Sequence, residues 1–256
     1  MTKPLILLPV LIAVLSLTTP LRFAAADTPS PPAWIKPAFA SGRTKIEFYD
    51  PAKDPREFPG WTVFDSDLNY QYDYEYQIRD DLKKKLIVTL EPTFTKVELV
   101  VRHKVQLPQS YQSARVWESP LAQHELEHVA IGAHRRAAML AEHLIRRVRQ
   151  VERTIGKRNE ITQEWVQMAI HEELTPRREA LDELLKANNR KLDNLTGHGA
   201  RPLADRDAFY AEMYLKENLD EMKFPYLHEV LDLLDQRDYQ AARWEAAAAK
   251  PGKPGK

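Results

Sequence analysis

The sequence predicts an α+β fold in which a small antiparallel sheet is followed by a series of helices. Between residues 44 and 107, short segments alternate apolar and polar residues, the period expected of half-buried strands. From Pro120 onward the chain is rich in Ala, Leu, Glu, Arg and Lys, which favour helices. Because the strands come first and the helices afterwards, an α+β arrangement is favoured over alternating βα units.

Five segments are candidates for strands. The alternation is clearest where four tyrosines occupy every second position. Pro92 separates the last two candidates and predicts a turn or a strand edge between them. The five segments are Thr44–Tyr49, Trp61–Phe64, Tyr70–Tyr76, Leu86–Leu90 and Lys96–Leu107.

The helical half begins with a clear start signal. Ser119 supplies a capping hydroxyl, and Pro120 fits the first helical position, where no N–H is needed. We expect this helix to continue to about Val151, because the sequence after residue 132 is rich in alanine. Three further helices are predicted, at Glu160–Lys191, Leu203–Asp220 and Pro225–Ala249.

The first 26 residues have the pattern of a signal peptide. A short basic start at Lys3 precedes the apolar run Leu5–Leu17, and Ala24-Ala25-Ala26 supplies small residues for cleavage near Ala26. The apolar run is short for a bilayer span, so an uncleaved membrane anchor is the weaker alternative. Cleavage predicts a periplasmic or secreted protein without a stable membrane span.

The rest of the chain is predicted to have four parts. Residues 27–42 contain several prolines and are predicted to be an extended linker. Residues 43–200 carry the strands and the first helices and form the main domain. Residues 201–249 are a helical C-terminal extension, and residues 250–256 are a disordered tail.

Composition excludes several kinds of function. The chain has 256 residues, enough to bury a sizeable core, and 37 basic residues balance 37 acidic ones. This neutral balance offers no electrostatic basis for binding nucleic acid or an anionic membrane. There is no cysteine, so a disulfide framework is excluded and a transition metal would be held by His, Asp or Glu.

The residues that indicate chemistry are His124-Glu125-Leu126-Glu127-His128, an H-E-x-x-H motif. On a helix, His124 and His128 lie on one face a single turn apart, so both imidazoles can reach one zinc ion. Glu125 can then act as the general base on a zinc-activated water. The alternative is an exposed helical face that carries two unrelated histidines.

A catalytic zinc site needs a third protein ligand, and two histidines are candidates. His134 lies six residues after His128, but it would need a chain turn that a continuing helix does not provide. His198 lies between two glycines in a loop that can bring the backbone close to a metal. Asp193 is a candidate partner that orients a ligand from outside the coordination sphere. The residues by themselves leave both histidines open.

The pattern of motifs resembles a bacterial domain-of-unknown-function family of predicted secreted zinc-dependent proteases, which are zincin-like. The resemblance covers roughly residues 43–200 and depends on a strand that ends at a proline, a tryptophan before H-E-x-x-H, and a later D-x-x-T-x-H-G segment. The matching residues are Pro108, Trp117, His124, Glu125, His128, Asp193, Thr196, His198 and Gly199. Leu192 departs from the family pattern, which has tyrosine there, and the extension after about Leu203 is not matched.

The resemblance implies a zincin-like fold, zinc ligands at His124, His128 and His198, and a general base at Glu125. It favours His198 over His134 as the third ligand. The expected function is a secreted zinc metallopeptidase that acts on peptide or protein substrates. The alternative is a catalytically inactive zincin-like envelope protein that binds a protein partner through its charged helices.

Overall fold

The computed structural model describes residues 30–80, 85–113 and 115–242. The predicted signal peptide and the predicted tail lie outside these ranges. The described chain has the predicted α+β composition, with one four-stranded sheet and helices packed against it. Residues 36–40, which the sequence places in an extended linker, instead form the short helix α1 (Lys36–Ala40), and the neighbouring Ile35 is buried.

The sheet contains two long strands and two short ones. Strand β1 (Thr44–Tyr49) has the predicted bounds, whereas the four later candidates merge into β2 (Trp61–Asp80) and β3 (Leu86–Pro108). Strand β4 (Val151–Ile155) was not predicted. The long β3 pairs with β2 along one side, and with β4 and β1 at opposite ends of its other side.

One prediction about the sheet is wrong, and that for Pro92 is wrong about a turn but correct about a strand edge. The β1–β3 pairing is parallel, so the sheet is mixed and not purely antiparallel. Pro92 does not interrupt a strand, because it lies within β3 opposite Tyr74. At Pro92, β3 has passed its pairing with β4 and has not reached its pairing with β1, so a residue without an N–H is tolerated there.

The two faces of the sheet differ in polarity, and this difference determines where the helices pack. On one face of β3, Leu99, Val101 and Val105 are buried beneath the helices. On the opposite face, Arg102 pairs with Asp67 of β2 at 2.5 Å, and both side chains are about half exposed. The apolar face therefore carries the core, and the charged face meets water.

The helix that carries the motif begins as predicted but ends early. Helix α2 (Pro120–Ala133) is capped by Ser119, whose hydroxyl accepts from the Ala122 N–H. The predicted continuous helix is wrong, because the backbone of His134 is extended. The imidazole of His134 then caps a new helix, α3 (Arg135–Arg146), by accepting from the Arg136 N–H.

The long helix α4 (Gln163–Thr196) crosses the same face of the sheet, and its C-terminal half packs against α2. It ends at Gly197, whose left-handed backbone donates its N–H to the carbonyl of Asp193. This termination fits glycine, which adopts a positive φ without a steric penalty.

As far as residue 242, where the described part ends, the C-terminal extension contains four shorter helices: α5 (Arg206–Glu212), α6 (Lys216–Glu221), α7 (Leu227–Leu234) and α8 (Arg237–Ala241). The buried side chains of the extension, among them Tyr210, Tyr214 and Tyr239, belong to the same core cluster as Leu99 and Val101 of β3. The extension therefore shares one core with the strands and with α2. None of the helices in the described ranges combines the length and apolar composition that a membrane span requires.

Candidate metal centre

Helix α2 presents both histidines of the motif to the interior. Their spacing of four residues puts them on one face of the helix, and both residues are buried. The rings lie edge to face with centroids 4.6 Å apart. Their Nε2 atoms are 3.1 Å apart, so the two imidazoles converge on one point.

Asp193, near the end of α4, completes a three-atom group. Its Oδ1 lies 3.2 Å from Nε2 of His124 and 3.1 Å from Nε2 of His128. Within the described ranges, His124, His128 and Asp193 are the His or acidic residues whose ligand atoms cluster closely enough to hold a metal ion.

Side chains of α4 orient the two imidazoles from behind. Nδ1 of His128 is 2.6 Å from Oδ1 of Asn189. Nδ1 of His124 is 3.3 Å from the Thr196 hydroxyl, which itself donates to the Leu192 carbonyl. Because these oxygens accept, the Nδ1 atoms carry protons, and the Nε2 atoms would present their lone pairs to a bound metal ion. Such outer contacts set the tautomer of metal-binding histidines.

The geometry fits a divalent metal ion. In a tetrahedral site with bonds of about 2.0–2.2 Å, neighbouring nitrogen and oxygen ligands lie roughly 3.3 Å apart. The three distances in this group, 3.1, 3.1 and 3.2 Å, come within a few tenths of that value. Two imidazole lone pairs and a carboxylate oxygen that face one another also need a cation between them. The residues present therefore suit a metal with three protein ligands.

Without a metal, the three groups perturb one another's ionisation. Burial raises the pKa of Asp193, but its hydrogen bonds with His124 and His128 outweigh that effect and hold the pKa well below its usual range. Burial lowers the pKa of His128, yet its hydrogen bond with Asp193 and the charge of Glu125 raise it overall. The group thus favours positive charge at its centre.

Glu125 lies beside the three-atom group and is 2% exposed. Its Oε2 accepts a hydrogen bond of 2.6 Å from the Thr62 hydroxyl of β2. Its other oxygen faces Gly60, where a Cβ atom would lie only 2.9 Å from the Glu125 carboxyl carbon. Burial raises the pKa of Glu125, and the opposing charge of His128 offsets part of that effect.

His198 lies at the edge of the group and not at its third corner. Its Nδ1 is 3.5 Å from Oδ1 of Asp193, and its side chain is 45% exposed. The ring stacks on Phe58 with centroids 4.0 Å apart. Gly197, His198 and Gly199 all have positive φ, and a Cβ at Gly199 would be 3.0 Å from the His124 ring. The two glycines therefore let this loop approach the site closely.

His134, the alternative third ligand, makes contacts that stabilise the fold and lie away from the three-atom group. It is 1% exposed, and its Nδ1 caps α3 while its Nε2 lies 3.2 Å from the Tyr210 carbonyl. Both ring nitrogens are thus engaged away from the three-atom group. This arrangement gives His134 the role of a helix cap and a link to the C-terminal extension.

Sequence reasoning placed Asp193 outside the coordination sphere, whereas in the structure it stands at the third corner. It missed Thr62, Asn189, Gly60 and Phe58. One signal was available for α4, because Asn189, Asp193 and Thr196 recur at the spacing of one helical face. No pattern in the sequence connects Thr62 or Gly60 with Glu125, because they meet only through the pairing of distant elements.

The site opens into a cleft of about 370 Å³. One wall is the start of β2 with the preceding loop, and the other consists of α2 and the last turns of α4. Most of the first wall is apolar, and Lys186 on α4 adds a cation opposite. The lining residues outside the three-atom group are Phe58, Gly60, Trp61, Thr62, Val63, Phe64, Glu125, Lys186, Asn189 and His198.

The interpretation of this centre depends on its own geometry. Comparisons of the chain with protein-family models, with curated proteins and with solved structures found no match.

Proposed function

We propose that this protein is a zinc-dependent hydrolase that cleaves peptide bonds. The observation that carries the proposal is the convergence of His124 Nε2, His128 Nε2 and Asp193 Oδ1 within 3.2 Å of one another, beside a buried carboxylate and an open cleft. Two imidazoles and one carboxylate are a donor set that zinc uses in hydrolases. His198, beside Asp193, is positioned to contact the ion or the substrate.

When bound, a zinc ion lowers the pKa of a coordinated water to about 7 and polarises a carbonyl group. Glu125 supplies the proton transfer. Thr62 occupies its Oε2, so Oε1 is left to take a proton from water in the cleft and to deliver it to the leaving amine. Asn189 and Thr196 keep the imidazoles oriented while this occurs.

The cleft suits an extended peptide. Among the described residues, β2 is paired with β3 on one side only, and its first residues, from Trp61 to Phe64, line the cleft. An added peptide strand can satisfy the free N–H and C=O groups of that edge, which would place its scissile bond beside Glu125. This supports a peptide substrate over a small molecule.

The compartment is proposed from the sequence. The signal-like pattern of residues 1–26 supports a mature chain in the periplasm or outside the cell. A site built from His and Asp, with no thiolate, suits an oxidising compartment.

Zinc analysis and peptide hydrolysis, measured on the same preparations of the mature chain, test the proposal. We expect one zinc ion per chain in the wild type and hydrolysis of an unfolded protein substrate. Glu125→Gln should retain zinc and lose at least about 100-fold in kcat/KM, because the base is removed and the ligands remain. His124→Ala should lose both zinc and hydrolysis.

Two results would contradict the proposal: absence of bound metal under zinc-replete conditions, or hydrolysis that survives in Glu125→Gln. Full biological function of Glu125→Gln without hydrolysis would instead support a non-catalytic binding protein. Thr175→Ala is a suitable control, because this exposed hydroxyl donates to its own helix far from the cleft.

A further inference from the structure

An ion pair between a buried carboxylate and a partly exposed guanidinium group joins the motif helix to the C-terminal extension. Glu127, between the two motif histidines, is 4% exposed. Its Oε1 accepts from Arg206 of α5, at 3.1 Å from Nε and 2.5 Å from Nη2. The guanidinium group also lies over the ring of Trp34, 4.9 Å from its centroid.

The same pair lies beside a proposed metal ligand. Oε2 of Glu127 is 4.0 Å from Nδ1 of His124, on the side of the ring opposite to its Nε2. Tyr210 of α5 holds this part of α2 in place by donating its hydroxyl to the Glu127 carbonyl at 3.0 Å. The carboxylate is thus held close to the ligand, and the guanidinium group is held on the far side of the carboxylate.

The two charges act on a metal ion with opposite signs. The Nδ1 proton of His124 goes to Thr196, so Glu127, at 4.0 Å, acts on the cation by the attraction of its charge across the ring. A guanidinium group repels the cation and offsets the charge of the carboxylate that it binds. Because the carboxylate is buried, water screens its effect less than at the surface, whereas the guanidinium group is 31% exposed and is screened more.

We propose that Glu127 and Arg206 are positioning residues through which the C-terminal extension sets the metal affinity of the centre. The inference rests on the proposed zinc site. Glu127 strengthens binding through His124, and Arg206 limits that effect. A pair that only stabilised the fold would lack this opposition, because loss of either partner would then act on the centre in the same direction.

The test is a double-mutant cycle of zinc affinity, measured on the full mature chain by competition with a chromogenic chelator. Glu127→Gln leaves Arg206 alone and should weaken zinc binding about tenfold or more. Arg206→Met leaves Glu127 alone and should tighten binding severalfold. The double variant, and Arg206→Lys, which keeps the positive charge, should both lie within about threefold of the wild type.

Urea unfolding of the metal-free variants separates stability from affinity. Arg206→Met leaves the buried Glu127 charge unpaired and should lose more stability than Glu127→Gln, which leaves a guanidinium group that is 31% exposed. If Arg206→Met does not fold without zinc, Glu127→Gln, Arg206→Lys and the double variant still decide the question. Glu152→Gln is the matched control, because it removes a carboxylate paired with Arg79 at 2.9 Å at the opposite end of β2.

The inference is overturned if Glu127→Gln and Arg206→Met shift zinc affinity in the same direction, or if neither shifts it more than twofold while the wild type binds zinc. Absence of zinc binding by the wild type would reject the proposed function itself. These two failures are therefore distinguishable.

Discussion

Gly60 has no side chain, so its backbone lies directly against the carboxylate of Glu125. A methyl group at this position would press on Glu125 and on Leu121, whose Cδ1 would be 2.7 Å away. We expect Gly60→Ala to displace the carboxylate and to lower kcat/KM about 100-fold, because a general base acts only within hydrogen-bond reach of its proton. Zinc content should stay unchanged, since the ligands lie on α2 and α4.

Gly156→Ala provides the matched control for this prediction. A Cβ there would be 3.0 Å from the carboxylate of Glu160, in an exposed segment after β4. Glu160 can move away into solvent, so activity should be unaffected. Unchanged hydrolysis in Gly60→Ala would show that the carboxylate of Glu125 is not held by this contact.

The third metal ligand can be assigned by comparing three single variants. Asp193→Ala should weaken zinc binding by more than about 100-fold, because it removes a corner of the three-atom group. His198→Ala should weaken it less than tenfold, because the imidazole lies outside that group. His134→Ala should lower stability and leave zinc affinity unchanged. Chelator competition and urea unfolding provide these measurements, and a larger zinc effect in His198→Ala than in Asp193→Ala would restore His198 as the ligand.

For single residues, the sequence was informative where spacing along one helix determines which side chains lie together. His124 and His128 converge because residues four apart share a face. The position of Asp193 relative to them depends on how α4 packs against α2, and no spacing within either helix specifies that packing. The same reason explains why Thr62, which binds Glu125 across 63 residues of chain, was not predicted.

His103 lies in the contact between β3 and α2, and it makes the stability of that contact depend on pH. Its ring packs against the backbone of Gly132, where a Cβ would be 2.7 Å from the imidazole Cε1. Burial lowers the pKa of His103 to about 4, and the charge of His128 adds to the effect. In the unfolded chain the pKa returns to about 6.5.

The folded state therefore binds a proton at His103 less readily than the unfolded state. The contribution to stability is complete above about pH 6.5 and is lost as the pH falls from 6.5 towards 4. A difference of this size corresponds to at most about 3–4 kcal/mol. We expect His103→Phe to lose less stability than the wild type between pH 7.5 and pH 4.5, as measured by urea unfolding. An equal loss in both proteins would contradict the buried neutral imidazole.

Element bounds were predictable where a local signal was strong. Ser119 and Pro120 marked the start of α2 correctly because the cap and the first turn are local features. The end of α2 was not predictable from composition, because alanine favours a helix on both sides of His134. The break depends on a distant contact, in which the His134 ring meets the Tyr210 carbonyl.

Removal of the C-terminal extension should prevent folding and not release an active domain of residues 43–200. Nine of its side chains are buried in the main core, which they share with β3 and α2. The buried Arg136 donates to four carbonyls of the extension, those of Ala211, Met213, Tyr239 and Gln240. At roughly 1.5–3 kcal/mol for each large apolar side chain, the loss equals or exceeds the usual stability of a domain.

The measurement is urea unfolding of a chain that ends at Ala200, for which we expect no cooperative transition. Addition of a separate fragment that starts at Arg201 should restore the transition if the two parts need each other. A cooperative transition in the truncated chain alone would show that the extension is a separate unit.

The sequence by itself determined the α+β class, the start of the motif helix and the pair of histidines that face one point, since each depends on residues close together in the chain. Tertiary structure alone decided the parallel pairing of β1 and the position of Asp193 in the three-atom group. It also decided the contact of Glu125 with Thr62 and the packing of the extension into the core. Each of these depends on how distant elements dock, and docking reflects the shape and burial of whole surfaces, which local periodicity does not encode.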